Sequence, residues 1–245
     1  VGGTFSGTAT TGDITDSGTL TITGAAIFKT RVDGSNIVLD SSSNAFSAAV
    51  TMIADAGDEA FGNITFVDSA GIVFATSAGS NGDLFINSST DGTVGGNLSV
   101  TATTGNITDT VALAISGTSS FTTSATNGTI VLNTPAALSG AVTLSTTGAS
   151  GNATIDNGTT ALNSVASTIG GNLTVTAGDS ITDSGVITVS GGASFTTDTS
   201  DKLITLNSQN AITGQVTFST TGTGGDVTLD NGATAISLGT ISSGD

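Results

Sequence analysis

The sequence predicts an all-β protein, a parallel β-helix in which successive coils stack along one axis. Three observations predict it: a long internal repeat, short runs that alternate apolar and small polar residues, and an 18-residue difference in length between repeat copies. The composition agrees, because Gly, Ser, Thr, Ala and Asn are abundant while Glu, Lys, Arg and Gln, which favour helices, are rare.

The chain repeats itself three times. VGGTFSGTATTGDITDSGTLTITG at Val1 returns as VGGNLSVTATTGNITDTVALAISG at Val94 and as IGGNLTVTAGDSITDSGVITVSG at Ile169. The copies span residues 1–93, 94–168 and 169–241, and residues 242–245 match the start of a fourth. Stacked repeats bury a shared core, so we expect residues 1–245 to form one continuous solenoid segment.

The strands are predicted by a period of two. Apolar and small polar residues alternate, with many β-branched side chains, which is typical of half-buried strands. Between these runs lie Gly, Asn, Asp and Ser, as in Asp33-Gly34, Asn127-Gly128, Asn157-Gly158 and Asn231-Gly232, which tolerate tight corners. The clearest runs are 19–23, 36–40, 97–101, 172–176, 215–219 and 226–230.

The repeat lengths predict the size of one coil. Copy one is longer than copy two by about 18 residues, which suggests that it has gained one whole coil of a solenoid. The added stretch lies in the region 66–93, which holds the apolar runs 72–74 and 84–86. At about 18–19 residues per coil the chain would have about 13 coils and a length of about 60 Å.

The alternative architecture is a tandem of immunoglobulin-like β-sandwiches. Such domains tend to carry a buried Trp and a corner Tyr, and both residue types are absent from the chain. In the β-helix, the ten Phe residues are expected inside, with Phe28, Phe121 and Phe195 at equivalent positions of the three copies.

Charge and composition exclude several classes of partner. The chain has 3 basic and 19 acidic residues, a net charge of −16, so it cannot supply the basic cluster that nucleic acid or an anionic membrane requires. There is no Cys or His and no run of 18 apolar residues, so zinc sites, Ser-His-Asp catalysis and membrane insertion are not expected. If a secretion signal exists, it lies upstream of residue 1.

The acidic residues are abundant but repeat in phase. Asp16, Asp109 and Asp183 occupy one position of the three copies, which indicates a structural role at corners, since a catalytic pair is usually unique in a solenoid. We therefore predict no enzyme, no catalytic residues and no cofactor. The carboxylates considered for glycosidase chemistry are Asp13, Asp16, Asp109, Asp179, Asp183, Asp226 and Asp230.

Two weaker ligand patterns are present. Asp55, Asp58 and Glu59 form the densest acidic cluster, and their oxygens suit Ca²⁺. The calcium-binding nonapeptide repeat is absent, so turns in a soluble loop over 54–62 are the favoured interpretation. Thr-x-Thr pairs, as at Thr101/Thr103 and Thr174/Thr176, do not recur at the predicted coil spacing, so no single regular hydroxyl face is expected.

The repeat pattern resembles a known class over essentially the whole chain. The motif GGNL-V-A--G-ITD-G-L-VSG--SF, followed by GAVTLSTTG and NATID, is similar to the repeat regions of large bacterial surface proteins of the filamentous-haemagglutinin-like, β-strand-repeat adhesin type. The resemblance implies a secreted, right-handed β-helix that serves as the extracellular shaft of a fibre or adhesin. We expect a non-enzymatic rod that spaces or self-associates. The alternative is an adhesive module that grips glycan or another cell by its lateral face.

Overall fold

The chain folds as a β-solenoid. A computed structural model describes residues 1–54, 62–74, 83–86 and 93–244, and these residues contain strands but no helix. The strands are β1 (Phe5–Ala9), β2 (Ile14–Thr15), β3 (Thr21–Ile22), β4 (Ala26–Thr30), β5 (Ile37–Leu39), β6 (Ala45–Phe46), β7 (Val50–Ala54), β8 (Ile64–Asp68), β9 (Ile72–Phe74), β10 (Asp83–Ile86), β11 (Thr93–Val94), β12 (Leu98–Ala102), β13 (Ile107–Asp109), β14 (Ala114–Ile115), β15 (Ser119–Thr126), β16 (Ile130–Leu132), β17 (Ala137–Leu138), β18 (Ala141–Thr147), β19 (Ala153–Asp156), β20 (Leu162–Ser164), β21 (Ser167–Ile169), β22 (Leu173–Ala177), β23 (Ile181–Asp183), β24 (Ile187–Val189), β25 (Ala193–Thr197), β26 (Ile204–Leu206), β27 (Ala211–Ile212), β28 (Gln215–Ser219), β29 (Val227–Leu229) and β30 (Ser237–Ser242).

The strands pair in parallel and form two large sheets. One has 12 strands in the order β1-β4-β7-β10-β9-β13-β16-β19-β22-β25-β28-β30. The other has 13 strands and follows the path β2-β5-β8-β12-β15-β18-β20-β23-β26-β29, with β21, β24 and β27 beside it. Smaller sheets join β11-β14-β17 and β3-β6. Tandem immunoglobulin-like sandwiches consist of antiparallel sheets, so the predicted β-helix is confirmed over its alternative.

The predicted coil length is wrong, and with it the coil count. Residues paired on adjacent coils are mostly 19 to 24 positions apart, as between Leu162 and Ile181 or between Ala26 and Val50. The chain therefore makes about 9 turns, here called coils, and not 13. At about 4.8 Å per coil, nine coils extend roughly 43 Å along the axis rather than 60 Å.

The extra residues of copy one lengthen one coil instead of adding a regular one. Ile64 pairs with Leu98, 34 positions later. Both predicted apolar runs in this region form strands, β9 and β10, and β10 pairs with β7 on one side and with β9 on the other. The subtraction of repeat lengths assumed a complete coil, whereas the insertion adds one strand to a single sheet.

The copies exchange sheets at each boundary. We call β1, β4, β7, β12, β15, β18, β22, β25 and β28 leading strands, and β2, β5, β8, β13, β16, β19, β23, β26 and β29 following strands. The leading strands of copies one and three lie in the 12-stranded sheet, but those of copy two lie in the 13-stranded sheet. Paired residues within copy two are 21 to 23 positions apart, as between Leu98 and Ser119 or between Ile107 and Ile130. Three such coils end before residue 168, so the next copy begins part of the way round a fourth coil.

A single apolar core runs through all three copies. It extends from Ile22 to Phe218 and is built from the inward residues of alternating strands. Phe28, Phe121 and Phe195 are buried as predicted. Each of them lies near a Phe of a neighbouring element; the Phe195 and Phe218 rings, for example, stack at 5.7 Å between centroids. The predicted corners are also confirmed by positive φ angles at Gly34, Asn127, Gly158 and Gly232.

Candidate functional site

The repeated carboxylates bind the corner of the next coil. Asp183 ends β23, and its Oδ1 accepts a hydrogen bond from the backbone N–H of Asn207 at 2.9 Å. Its Oδ2 accepts a bond from Nδ2 of the buried Asn210 at 2.6 Å. In copy one, Asp16 repeats this arrangement with the N–H of Asp40 at 3.1 Å and Asn44 Nδ2 at 2.6 Å. The corner role predicted for these residues is confirmed.

The second copy lacks one partner of this corner. Ala136 occupies the position of Asn44 and Asn210, so Asp109 lacks the asparagine Nδ2 donor, and its carboxylate accepts the backbone N–H groups of Asn133 and Thr134 at 3.1 to 3.3 Å. Burial raises the pKa of Asp109 above its ordinary value, although these backbone hydrogen bonds act in the opposite direction.

Asp68 lies at another corner, at the end of β8, and is 1% exposed. Burial raises its pKa, and its Oδ1 accepts bonds from the N–H groups of Phe46 and Ala70, each at 3.3 Å. The recurrent phase of Asp16 did not reveal this carboxylate, because Asp68 stands at a different position of the repeat, where copies two and three carry Asn157 and Asn231. Its chemistry is nevertheless the same, a carboxylate that satisfies backbone donors.

An amide ladder runs along one edge of the solenoid. Asp13 Oδ1 accepts the N–H of Asn36, Asn36 Oδ1 accepts that of Asn63, and Asn63 Oδ1 accepts that of Asn97, each at 2.8 Å. Asn97 Oδ1 then accepts the N–H of Thr118 at 2.7 Å. The ladder crosses the boundary between copies one and two, because a Gly-Asn pair precedes both the following strand β8 and the leading strand β12.

The boundary between copies two and three repeats this geometry. Asn152 Oδ1 accepts the N–H of Asn172 at 2.7 Å, and Asn172 Oδ1 accepts that of Gly192 at 2.8 Å. The glycine before each asparagine is a steric requirement. A Cβ on Gly171 would overlap the Asn152 side chain of the adjacent coil, so a larger residue at this position would push the two coils apart.

Two buried asparagine side chains each bind the backbone N–H and C=O of a residue on the preceding coil, as a neighbouring strand would. The side chain of Asn157 is 0% exposed; its Oδ1 accepts the N–H of Leu138 at 2.8 Å and its Nδ2 donates to the carbonyl of Leu138 at 3.2 Å. Asn231 binds both backbone groups of Ile212 in the same way, at 2.9 and 3.0 Å. Sequence reasoning assigned Asn157 and Asn231 to corners but missed this function, for which the recurring Asn-Gly pair was the available signal.

The carboxylates do not assemble into a metal centre in the described part of the chain. No group of three or more Asp or Glu residues there could hold a metal ion. Asp55, Asp58 and Glu59, the calcium candidates, lie outside the described residues. Asp179 pairs with Lys202 at 3.0 Å, and that lysine lowers the pKa of the exposed Asp179 carboxyl. Asp230 Oδ1 accepts the N–H of Gly232 at 2.8 Å.

The lateral faces carry aligned hydroxyl groups, which corrects one expectation. On β12, β15 and β18 the register places Ser99, Ser120 and Thr143 in one column and Thr101, Thr122 and Ser145 in the next. The expectation of no regular face assumed the shorter predicted coil, whereas these side chains recur 21 and then 23 positions apart. Adjacent strands lie about 4.8 Å apart, so each column is a regular row of hydroxyls.

The described residues contain no helix long and apolar enough to cross a membrane. No curated protein and no solved structure matches the chain. One family model does match, described as repeats of unknown function (DUF5649), and it covers residues 1–53, 61–145 and 150–219. With most of its length matched in three stretches, and with three copies of one motif stacked in a single solenoid, the chain belongs to this family of repeats.

Proposed function

We propose that this chain is a non-enzymatic structural shaft of a bacterial surface fibre or adhesin, located outside the cell. One observation carries the proposal. Two large parallel sheets and one apolar core pass through all three copies, so load applied along the axis is shared by successive coils. A solenoid of this kind gives a stiff spacer that resists proteases.

The polar side chains support a structural role. Asp16, Asp183, Asn63 and Asn157 direct their oxygens at backbone N–H groups of neighbouring coils, so the chemistry that recurs in each copy serves the stacking itself. The resemblance to filamentous-haemagglutinin-like repeats supports the extracellular location. The net charge of −16 supports partners other than nucleic acid or anionic lipid.

Mechanical unfolding tests the shaft. If the chain is pulled from its two ends, a solenoid should lengthen in steps of one coil. At about 23 residues per coil and about 3.5 Å per extended residue, each step should add about 80 Å of contour length. Collapse of the whole chain at negligible force, or rapid cleavage throughout the described strands by a non-specific protease, would contradict the proposal.

A second candidate, an adhesive module, is favoured by the hydroxyl columns on β12, β15 and β18. Two parallel rows of Ser and Thr hydroxyls suit a polar, regular surface such as glycan. Glycan-array binding tests it, with Thr122→Val as the variant that removes a central hydroxyl and Thr199→Val, at an exposed position in the turn between β25 and β26, as the control. Saturable binding lost only in Thr122→Val would favour the adhesive module over the plain shaft.

A further inference from the structure

We propose that Asn127 is a site of spontaneous modification, at which the side-chain amide is lost and a carboxylate takes its place. The fold protects Asn157 and Asn231, which are also followed by glycine, from the same reaction. A fourth such pair, Asn81-Gly82, lies outside the described residues. The inference goes beyond the proposed function and does not depend on it.

Deamidation at an Asn-Gly pair is a reaction within the chain. The backbone nitrogen of Gly128 attacks Cγ of Asn127 and gives up its proton, and the bond from Cγ to Nδ2 breaks as ammonia leaves. Water then opens the cyclic imide at one of its two carbonyls. The product is aspartate or isoaspartate, an isomer whose main chain runs through the side-chain carbon. Glycine favours the attack because it has no Cβ to crowd its nitrogen.

The corner at Asn127 leaves the reacting groups accessible. Asn127 is exposed, with a φ of 64°. The one hydrogen bond that its side chain makes to the described residues comes from the Ser150 N–H, which donates to Oδ1 at 3.0 Å. That donor stabilises the negative charge that forms on Oδ1 when Cγ is attacked. The Gly128 N–H donates to the carbonyl of Ala125 at 3.0 Å, so the reaction requires this one turn to open.

Asn157 has the same local sequence, Asn-Gly-Thr, but its groups are held in place. It is fully buried and binds both backbone groups of Leu138, and its Nδ2 also donates to the carbonyl of Ala161 at 2.8 Å. The Gly158 N–H donates to Asp156 Oδ1 at 2.9 Å. The adjacent carboxylate disfavours loss of the proton from the attacking nitrogen, because it would face a second negative charge.

The pair at Asn231 is protected in the same way. Asn231 is buried, and its Nδ2 donates to the carbonyl of Ile212 at 3.0 Å. The Gly232 N–H donates to Asp230 Oδ1 at 2.8 Å, as that of Gly158 does to its own aspartate. Reaction at either buried pair therefore requires local opening of the corner, and the open population falls with the free energy of opening.

The fold accepts a carboxylate at the Asn127 corner, because Asp201 occupies the equivalent corner of copy three. Both residues lie three positions before a following strand, β16 or β26, and Asp201 has a φ of 63°. The N–H of Asp201 donates to the carbonyl of Thr221 at 2.8 Å, as that of Asn127 donates to Thr147 at 2.8 Å. Asp201 Oδ1 accepts the N–H of Gly224 at 2.8 Å, in the role of Asn127 Oδ1. The aspartate product therefore keeps the corner, whereas isoaspartate lengthens its main chain.

Peptide mass spectrometry of the full chain, incubated at mildly alkaline pH, tests the assignment. Asn127 and Asn157 share the segment Asn-Gly-Thr, so each is the matched control of the other. In the folded chain Asn127 should convert at least about tenfold faster than Asn157. In concentrated urea, where the corners are lost, the two rates should become similar. Equal rates in the folded chain, or an Asn127 that stays intact while the urea-unfolded chain reacts, would overturn the proposal.

Two substitutions test the fate of the product. Asn127→Asp should keep the wild-type melting temperature, and it should elute on ion exchange with the acidic form that accumulates as the wild-type chain ages. Asn157→Asp should lower the melting temperature, because it places a buried charge against the carbonyl of Leu138. A fall in Asn127→Asp as large as that in Asn157→Asp would contradict a corner that accepts the carboxylate.

Discussion

Removal of the Asn157 side chain should destabilise the solenoid at one corner. In the wild-type chain the buried N–H of Leu138 donates to Asn157 Oδ1 at 2.8 Å, and the C=O of Leu138 accepts from Asn157 Nδ2 at 3.2 Å. Asn157→Ala removes both partners. A buried polar group left unsatisfied costs about 1–3 kcal/mol, so the two groups together should cost about 2–6 kcal/mol. The exposed Asn207 provides the control. Asn207→Ala deletes the same side-chain atoms from a solvent-exposed position, so it should lower the free energy of unfolding by less than about 0.5 kcal/mol.

The effect of Asn157→Ala should be local, because each coil contacts its neighbours only. Amide hydrogen exchange at Leu138 should accelerate by at least about 30-fold, the factor that corresponds to about 2 kcal/mol. Amides of copy one, several coils away, should keep their exchange rates. Equal exchange at Leu138 in Asn157→Ala and Asn207→Ala would refute the view that this side chain substitutes for a strand partner.

Three further substitutions probe the corners. Gly140→Ala should lower the melting temperature, since its Cβ would overlap the carbonyl of Gly117 at a cost of about 1–3 kcal/mol, while Gly18→Ala, with open space around it, should not. Asp109→Asn tests the raised pKa. The folded chain holds the Asp109 proton more tightly than the unfolded chain, so wild-type stability should fall as pH rises from 3.8 through the folded pKa, and urea titrations should show no such fall in the variant. Ala136→Asn should restore the side-chain donor found in the other copies, lower the pKa of Asp109 and raise the melting temperature; an unchanged pH profile would contradict that donor role.

Local structure could be predicted because it depends on local residues. The alternating runs became strands, as at β12, β22 and β28, and the Asn-Gly and Asp-Gly pairs became corners. The recurrence of Asp16, Asp109 and Asp183 at one phase gave their corner role without coordinates. In each case the structure is decided either by residues close together in the sequence or by a residue that recurs at the same position of every copy.

The coil length and the sheet exchange could not be predicted in this way. Alignment of the copies sets Leu98 beside Phe5, but in the solenoid Leu98 pairs with Ile64, a residue from a different part of the motif. That pairing depends on how many residues complete a coil, and the alignment contains no measure of it. The difference of 18 residues between copies one and two was interpreted as one additional coil. In the structure it lengthens a single coil, in which Ile64 and Leu98 pair 34 positions apart. The partners of Asn157 were hidden for the same reason, because Leu138 lies 19 positions away on the preceding coil.

The exchange of sheets at copy boundaries has a consequence for how such a gene can evolve. Because a copy does not fill a whole number of coils, the number of copies determines the direction in which everything beyond them points. Loss or gain of a single copy by recombination would preserve the core and the ladder, yet rotate each later surface about the long axis. A tip or a patch of side chains could thus be presented to a different side without any change in its own sequence.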